Sequence, residues 1–131
     1  MPNPRTVKES DIQAAIVKAA RKHPAIGRVF RVNSGTFKSF AGSIVQGAPK
    51  GTPDLIGFLT DGRFMAVEVK VPGEFPTPEQ RAFLADLNAC GGLGFVATSV
   101  DSFLRFLAET VTMPTDGREN QKDQKRPERG G

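Results

Sequence analysis

Between Gly51 and Lys70 the chain reads Gly-Thr-Pro-Asp-Leu-Ile-Gly-Phe-Leu-Thr-Asp-Gly-Arg-Phe-Met-Ala-Val-Glu-Val-Lys. Two apolar runs flank Asp61-Gly62, a strong local hairpin signal, because both central residues of a type I′ turn need positive φ. Strands this apolar belong inside a sheet. Yet Asp54 stands at the mouth of the first run, and Glu68 and Lys70 interrupt the second. Unpaired charge is costly where a sheet is dry, so any fold of this chain must give these groups partners.

The segments around the hairpin set the class. Glu9 to Lys22 has helical periodicity, with Ile12, Ala15, Ile16, Ala19 and Ala20 on one side, and Pro24 ends it. Arg28 to Asn33 predicts a first strand. Ser34 to Lys50 has no sustained period and predicts a loop, with at most a short strand near Ile44-Val45. Leu55–Leu59 and Phe64–Lys70 are the hairpin strands. Thr77-Pro-Glu-Gln80 opens a helix that runs towards Gly91-Gly92, with proline at the first helical position and glycine at the end. Phe95 to Thr98 predicts another strand and Ser102 to Val111 a last helix. The order is α/β, a mixed central sheet flanked by helices with the hairpin at its centre. Residues 1–8 read as a flexible arm, 9–112 as the folded domain, and 113–131 as a charged, disordered tail.

Composition narrows the partners. The 131 residues suffice for one domain with one modest core. No apolar run is long enough for a membrane span, and no secretory pattern opens the chain. One cysteine, Cys90, excludes an internal disulfide framework, and one histidine, His23, excludes a multi-histidine metal site. A cytoplasmic protein is expected, with phage origin an option. A net charge of +4 and a pI near 9.6 favour polyanionic partners.

Strand geometry then brings the charges together. Side chains alternate faces along a strand, so Glu68 and Lys70 share one. With a short turn, the residue opposite Glu68 is Asp54 or Leu55, and cross-strand neighbours lie about 5 Å apart. Two close carboxylates in a partly dry site repel unless one takes a proton or a cation holds both ionised. Oxygen ligands at that separation suit Mg²⁺ or Mn²⁺, which would polarise a phosphoryl group and acidify a water. Lys70 could orient that water or offset charge growing on phosphorus. The alternative is an ion pair of Lys70 with Glu68 or Asp54 at a strand end, with no metal.

Pro53-Asp54 with Glu68-Val69-Lys70 resembles the PD-(D/E)xK nuclease superfamily. With Gly51-Thr-Pro-Asp-Leu-Ile, Asn33-Ser-Gly35, Thr77-Pro-Glu-Gln80 and Gly94-Phe-Val-Ala, the chain from about Glu9 to Leu107 is similar to its VRR-NUC branch, in the stand-alone form. The resemblance implies a restriction-endonuclease-like αβββαβ core plus a C-terminal helix. It also implies a Mg²⁺- or Mn²⁺-dependent DNA endonuclease. Asp54 and Glu68 would be metal ligands, joined by the carbonyl of Val69, with Lys70 the catalytic lysine. Stand-alone members resemble Holliday-junction resolvases, which implies branched DNA as substrate and a homodimer. A sequence-specific restriction-type enzyme and a non-catalytic DNA-binding module with the same fold are the alternatives.

Other positions carry two readings each. The resemblance places Glu9 at the metal site, while Thr6-x-x-Glu9 also fits a capping box. It places Gln80 beside Lys70, while Thr77-x-x-Gln80 fits a capping box too. Asn33, Ser34 and Gly35 could bring backbone N–H groups to a phosphate, or form an ordinary turn. Arg28, Arg31, Lys38 and Lys50 are candidates for backbone phosphates. Phe37 and Phe40 read as core, with a wedge against bases or a partner subunit as the alternative, Cys90 as a buried thiol, and His23 as a cap or surface residue.

Overall fold

The computed structural model describes residues 7–33 and 36–111. Most of the expected arm, Ser34-Gly35 and the expected tail lie outside the described residues. The elements are α1 (Glu9–Arg21), β1 (Ile26–Arg31), β2 (Thr36–Lys38), β3 (Ile44–Gln46), β4 (Leu55–Leu59), β5 (Phe64–Val69), α2 (Pro78–Ala89), β6 (Leu93–Ala97) and α3 (Val100–Val111). Four strands form one sheet in the order β1-β4-β5-β6, with the hairpin β4–β5 at its centre. β4 runs antiparallel to both β1 and β5, and β6 runs parallel to β5, so the sheet is mixed.

One face of this sheet is the dry one. Val29, Leu55, Leu59, Met65, Val67, Val69, Leu93, Phe95 and Ala97 point to it and pack against Ile12, Ile16, Val17 and Ala20 of α1 and Phe103 and Leu107 of α3. The buried stripe of α1 is Ile12, Gln13, Ile16, Val17 and Ala20; Ala15 is exposed and Ala19 half-buried, so the core face is turned slightly from the one the spacing predicts. α2 lies on the opposite face, over β5 and β6. Leu84 is its one buried side chain. Asn88 ties it down: its Nδ2 donates to Gly94 O at 2.9 Å, and Gly94 N–H donates to its Oδ1 at 2.8 Å.

The segment expected to be a loop holds the short strand anticipated near Ile44-Val45, as β3, and a second strand, β2, beside it. β2 and β3 pair as a separate antiparallel hairpin, inserted between β1 and β4 and closed by a bond from Ser39 N–H to Ser43 O of 2.7 Å. The β-branched residues Thr36, Ile44 and Val45 suit extended backbone. The hairpin leaves the sheet exposed. Phe40, expected in the core, stands fully in solvent at its turn, and Ile44 is also exposed.

The central turn differs from the two-residue form. Leu59 and Arg63 still bond across it (Leu59 N–H to Arg63 O, 2.9 Å), and Gly62 N–H donates to Leu59 O at 2.9 Å. The loop is therefore Thr60-Asp61-Gly62, and Gly62 takes the positive φ of 94° that closes such a loop. This odd loop sets the register of the hairpin, with Leu55 opposite Val67 and Ile56 opposite Ala66. One more step along that register brings Asp54 opposite Glu68. A two-residue loop would shift the pairing by one and turn one carboxylate to the other face.

A second glycine holds β1 against β4. A Cβ added at Gly57 would lie 1.9 Å from the backbone oxygen of Arg28. Neither strand backbone can yield without breaking the ladder. Gly57→Ala is expected to cost roughly 2–3 kcal/mol, measured by urea unfolding. An unchanged midpoint would show that the two strands separate more easily than this packing allows.

Candidate active site

The hairpin register delivers the two acids to one end of the sheet. Asp54 is fixed from both sides. Its carbonyl accepts from Val32 N–H at 2.8 Å, extending the β1–β4 ladder, and its Oδ2 accepts from Val69 N–H at 2.8 Å. The second bond crosses to β5 and holds the carboxylate over that strand, next to Glu68. Pro53, fully buried, fixes the chain just before it.

Glu68 is the unusual group. It is 1% exposed, as deeply buried as the apolar core. Lys70 Nζ lies 3.6 Å from its Oε2. Its Oε1 is buried with no hydrogen-bond partner among the described residues. Burial above all, then the charge of Asp54, pushes its carboxyl up to about 8, against the pull of Lys70. A buried oxygen without a partner normally costs stability. Here it lies at the centre of the acidic end of the sheet.

Glu9 stands near the pair. It is half-buried at the start of α1, where Gln13 Nε2 donates to its Oε2 at 3.3 Å. Burial first, then Asp54, displaces its carboxyl upward, and Lys70 pulls it back. The capping-box reading of Glu9 does not hold: the N-cap is Lys8, with no side-chain cap bond, so Glu9 is the first helical residue rather than the third. Among the described residues, no three His, Cys, Asp or Glu side chains stand close enough together to hold a metal ion. The protein's own acidic contribution is thus the Asp54–Glu68 pair, with Glu9 outside it. The pair fits a hard divalent ion by its oxygen donors and by the partnerless Oε1 of Glu68.

Gln80 is a cap in this structure. Its Oε1 accepts from Thr77 N–H at 2.8 Å, and its N–H donates to Thr77 Oγ1 at 3.2 Å, completing the capping box. Lys50 is exposed, with its Nζ 3.9 Å from Glu79 Oε2. Arg28, Arg31, Asn33 and Lys38 are exposed, and Asn33 O accepts from Ala48 N–H at 2.9 Å. Arg31 and Asn33 flank Val32, which pairs with Asp54, so they lie at the rim of the acidic end. Ser34 and Gly35 fall outside the described residues.

Two groups the sequence reading left out matter here. The Val69 N–H, rather than a side chain, positions Asp54. Gln13 is buried on the apolar stripe of α1, and a polar residue on such a stripe was the available signal. His23 Nδ1 accepts from Ala25 N–H at 3.1 Å, a local turn role. Cys90 is exposed rather than buried, because α2 lies shallow on the sheet.

The model of the VRR-NUC domain matches residues 7–101. The chain belongs to the VRR-NUC family. It is a nuclease domain by that membership. A phage relative, "Putative nuclease p44" of Acyrthosiphon pisum secondary endosymbiont phage 1, is 32% identical over 97 residues, 74% of this chain and 89% of that protein. A solved structure named "VRR_NUC domain protein" superposes with a TM-score of 0.58 at 17% identity, covering 84% of this chain and 93% of that one. That likeness supports the restriction-endonuclease-like arrangement of the VRR-NUC sheet and helices. No helix among the described residues is long and apolar enough to cross a membrane.

Proposed function

We propose that this VRR-NUC chain is a divalent-metal-dependent DNA endonuclease that selects branched DNA and works as a homodimer. The observation that carries the metal is the buried, partnerless Oε1 of Glu68 beside the clamped carboxylate of Asp54. Asp54, Glu68 and the main-chain carbonyl of Val69 would hold Mg²⁺ or Mn²⁺, with Glu9 as an outer acid. The ion would supply electrophilic activation of a phosphodiester. The chain's own residues do the rest. Val69 N–H fixes Asp54, and burial keeps water from Glu68. Lys70, 13% exposed and 3.6 Å from Glu68, brings a positive charge to the point where charge builds on phosphorus. Gln80 fixes the first turn of α2 through Thr77 and, on this reading, also serves the lysine.

The branched-DNA part rests on the inserted hairpin. It departs from the sheet beside Asp54 and carries Lys38 and the exposed Phe40. A cation for the backbone and an aromatic tip suit insertion at a point where base stacking is already interrupted. Arg31, Asn33 and Lys50, with Ser34 and Gly35, would contact phosphates along the rim.

The test is a panel of linear, nicked, flapped and four-way DNAs incubated with Mg²⁺ or Mn²⁺, with cut positions mapped. Cleavage of the branched substrates well above the linear one is the expected result. Equal cutting of every linear duplex containing one sequence would replace this reading with a restriction-type enzyme. Binding without any cutting would leave a non-catalytic DNA module.

A further inference from the structure

α2 covers only β6 and the later part of β5, where Ala66 and Glu68 are buried, on its face of the sheet. The rest is a bare shelf. Phe30, Ile56, Phe58 and Phe64 point to it, since Phe30 pairs with Ile56 and Phe58 with Phe64 in register. Phe30 is 48% exposed, Phe58 46% and Phe64 43%. Rings this open, gathered on one face, mark an interaction surface rather than scattered surface apolar residues. It is the same face that carries Asp54 and Glu68, farther along the strands. Beside the shelf α2 stands up as a ridge, with Ala82, Ala85 and Asp86 outward.

We propose that this stepped face is where two copies of the chain meet, each seating its α2 on the other's shelf about a two-fold axis parallel to the strands. The inference rests on the homodimer reading above and names its surface. A step, half ridge and half shelf, is complementary to its own copy under such a rotation. The dimensions agree: the twelve residues of α2 span about 18 Å, and the five of β4 about 17 Å. Charge agrees as well. Arg28 lies on the shelf, paired with Phe58, and Asp86 in the last turn of α2, which leads into Leu93 opposite Met65; both stand towards the hairpin-turn end of the sheet, so a rotation about the strand direction sets opposite charges at a similar level twice. Aromatic residues at the centre with arginine at the border are the composition of protein interfaces. A nucleic-acid strand would need several cations, and this face of β1, β4 and β5 offers Arg28 alone beyond the acidic end. The symmetry also has a functional consequence. An axis parallel to the strands keeps both Asp54–Glu68 ends on the same side of the dimer, where one DNA molecule can reach both.

Sedimentation equilibrium of the full chain across a concentration series tests this, with Phe58→Glu and Ala85→Arg as variants. Both positions are exposed, so both variants should keep the wild-type circular dichroism spectrum. The wild type is expected to be dimeric, and each variant to weaken the dimer at least about a hundredfold. A monomeric wild type, or a dimer that Ala85→Arg leaves intact, overturns the arrangement. So does a monomer whose Phe58→Glu variant loses DNA affinity, since nucleic acid then occupies the shelf. Cleavage is measured in parallel: a monomer that cuts branched DNA sinks the interface and spares the active site. A dimer sensitive to both variants that cuts nothing does the reverse.

Discussion

Asp54→Asn is expected to lower DNA cleavage about a thousandfold, roughly 4 kcal/mol of transition-state stabilisation, while DNA affinity changes only a few-fold. Asparagine keeps the shape of the side chain and an oxygen that can still accept from Val69 N–H, the bond that is 2.8 Å long in the wild type. What it removes is the negative charge. The variant therefore separates the electrostatic role of the carboxylate from its role in the β4–β5 crossing. Removing that charge also relieves Glu68, whose carboxyl Asp54 helps to push up. The variant should consequently be no less stable than the wild type. Lys70→Ala should lose cleavage to a similar degree for a different reason, since it deletes the cation 3.6 Å from Glu68 Oε2. Gel-shift titration and single-turnover cleavage on the same branched substrate give the two numbers. Cutting within tenfold of the wild type by both variants would remove this pair from the chemistry altogether. Loss of binding in step with cutting would make them structural.

Much of this arrangement is legible in the sequence, and the remainder has identifiable causes. The helical stripe of Ile12 and Ile16 and the alternating hairpin strands are periodic signals, and both elements stand where the period places them. Asp-Gly correctly marks the turn but not its length. Thr60 joins the loop, and only that one-residue difference decides whether Asp54 or Leu55 faces Glu68. Residue identity cannot tell a two-residue from a three-residue turn when the glycine at positive φ is common to both. The exposure of Phe58 and Phe64 is equally hidden. Their strands are apolar on both faces, as in a sheet covered twice, yet α2 is short and covers β6 and only the later part of β5, where Ala66 and Glu68 are buried. Cys90 and Phe40 are exposed for the same reason: apolar character alone does not place a residue under a covering element. The bond from Val69 N–H to Asp54 has no sequence signal at all, because every residue but proline can make it.

Glu68→Gln should stabilise the metal-free protein at pH 8 by a few kcal/mol while abolishing cleavage. In the folded, metal-free chain, burial and the charge of Asp54 hold the Glu68 carboxyl at about 8, against an ordinary 4.5. Between those two values the folded state keeps a proton that the unfolded chain releases. Stability must therefore fall as pH rises through that window, by about 1.4 kcal/mol for each pH unit it spans at most, and the loss is complete above it. Below pH 4.5 both states are protonated and the penalty vanishes. Glu9 adds to the same trend, since its carboxyl is also displaced upward, by burial and then by Asp54. Glutamine fills the same volume and carries no charge, so it flattens the curve. The wild type in Mn²⁺ should behave in the opposite sense. A cation that favours the ionised pair binds more tightly as pH rises, and its stabilisation grows with it. Thermal unfolding of wild type and Glu68→Gln from pH 5 to pH 9, with and without Mn²⁺, reads all four curves. A flat metal-free wild-type curve would show that Glu68 finds a partner or water that the fold does not reveal. A Glu68→Gln protein that unfolds more easily at pH 8 would show that its ion pair with Lys70 outweighs the cost of burying it. Either result would mean that this end of the sheet is a structural ion pair and not a carboxylate pair awaiting a cation.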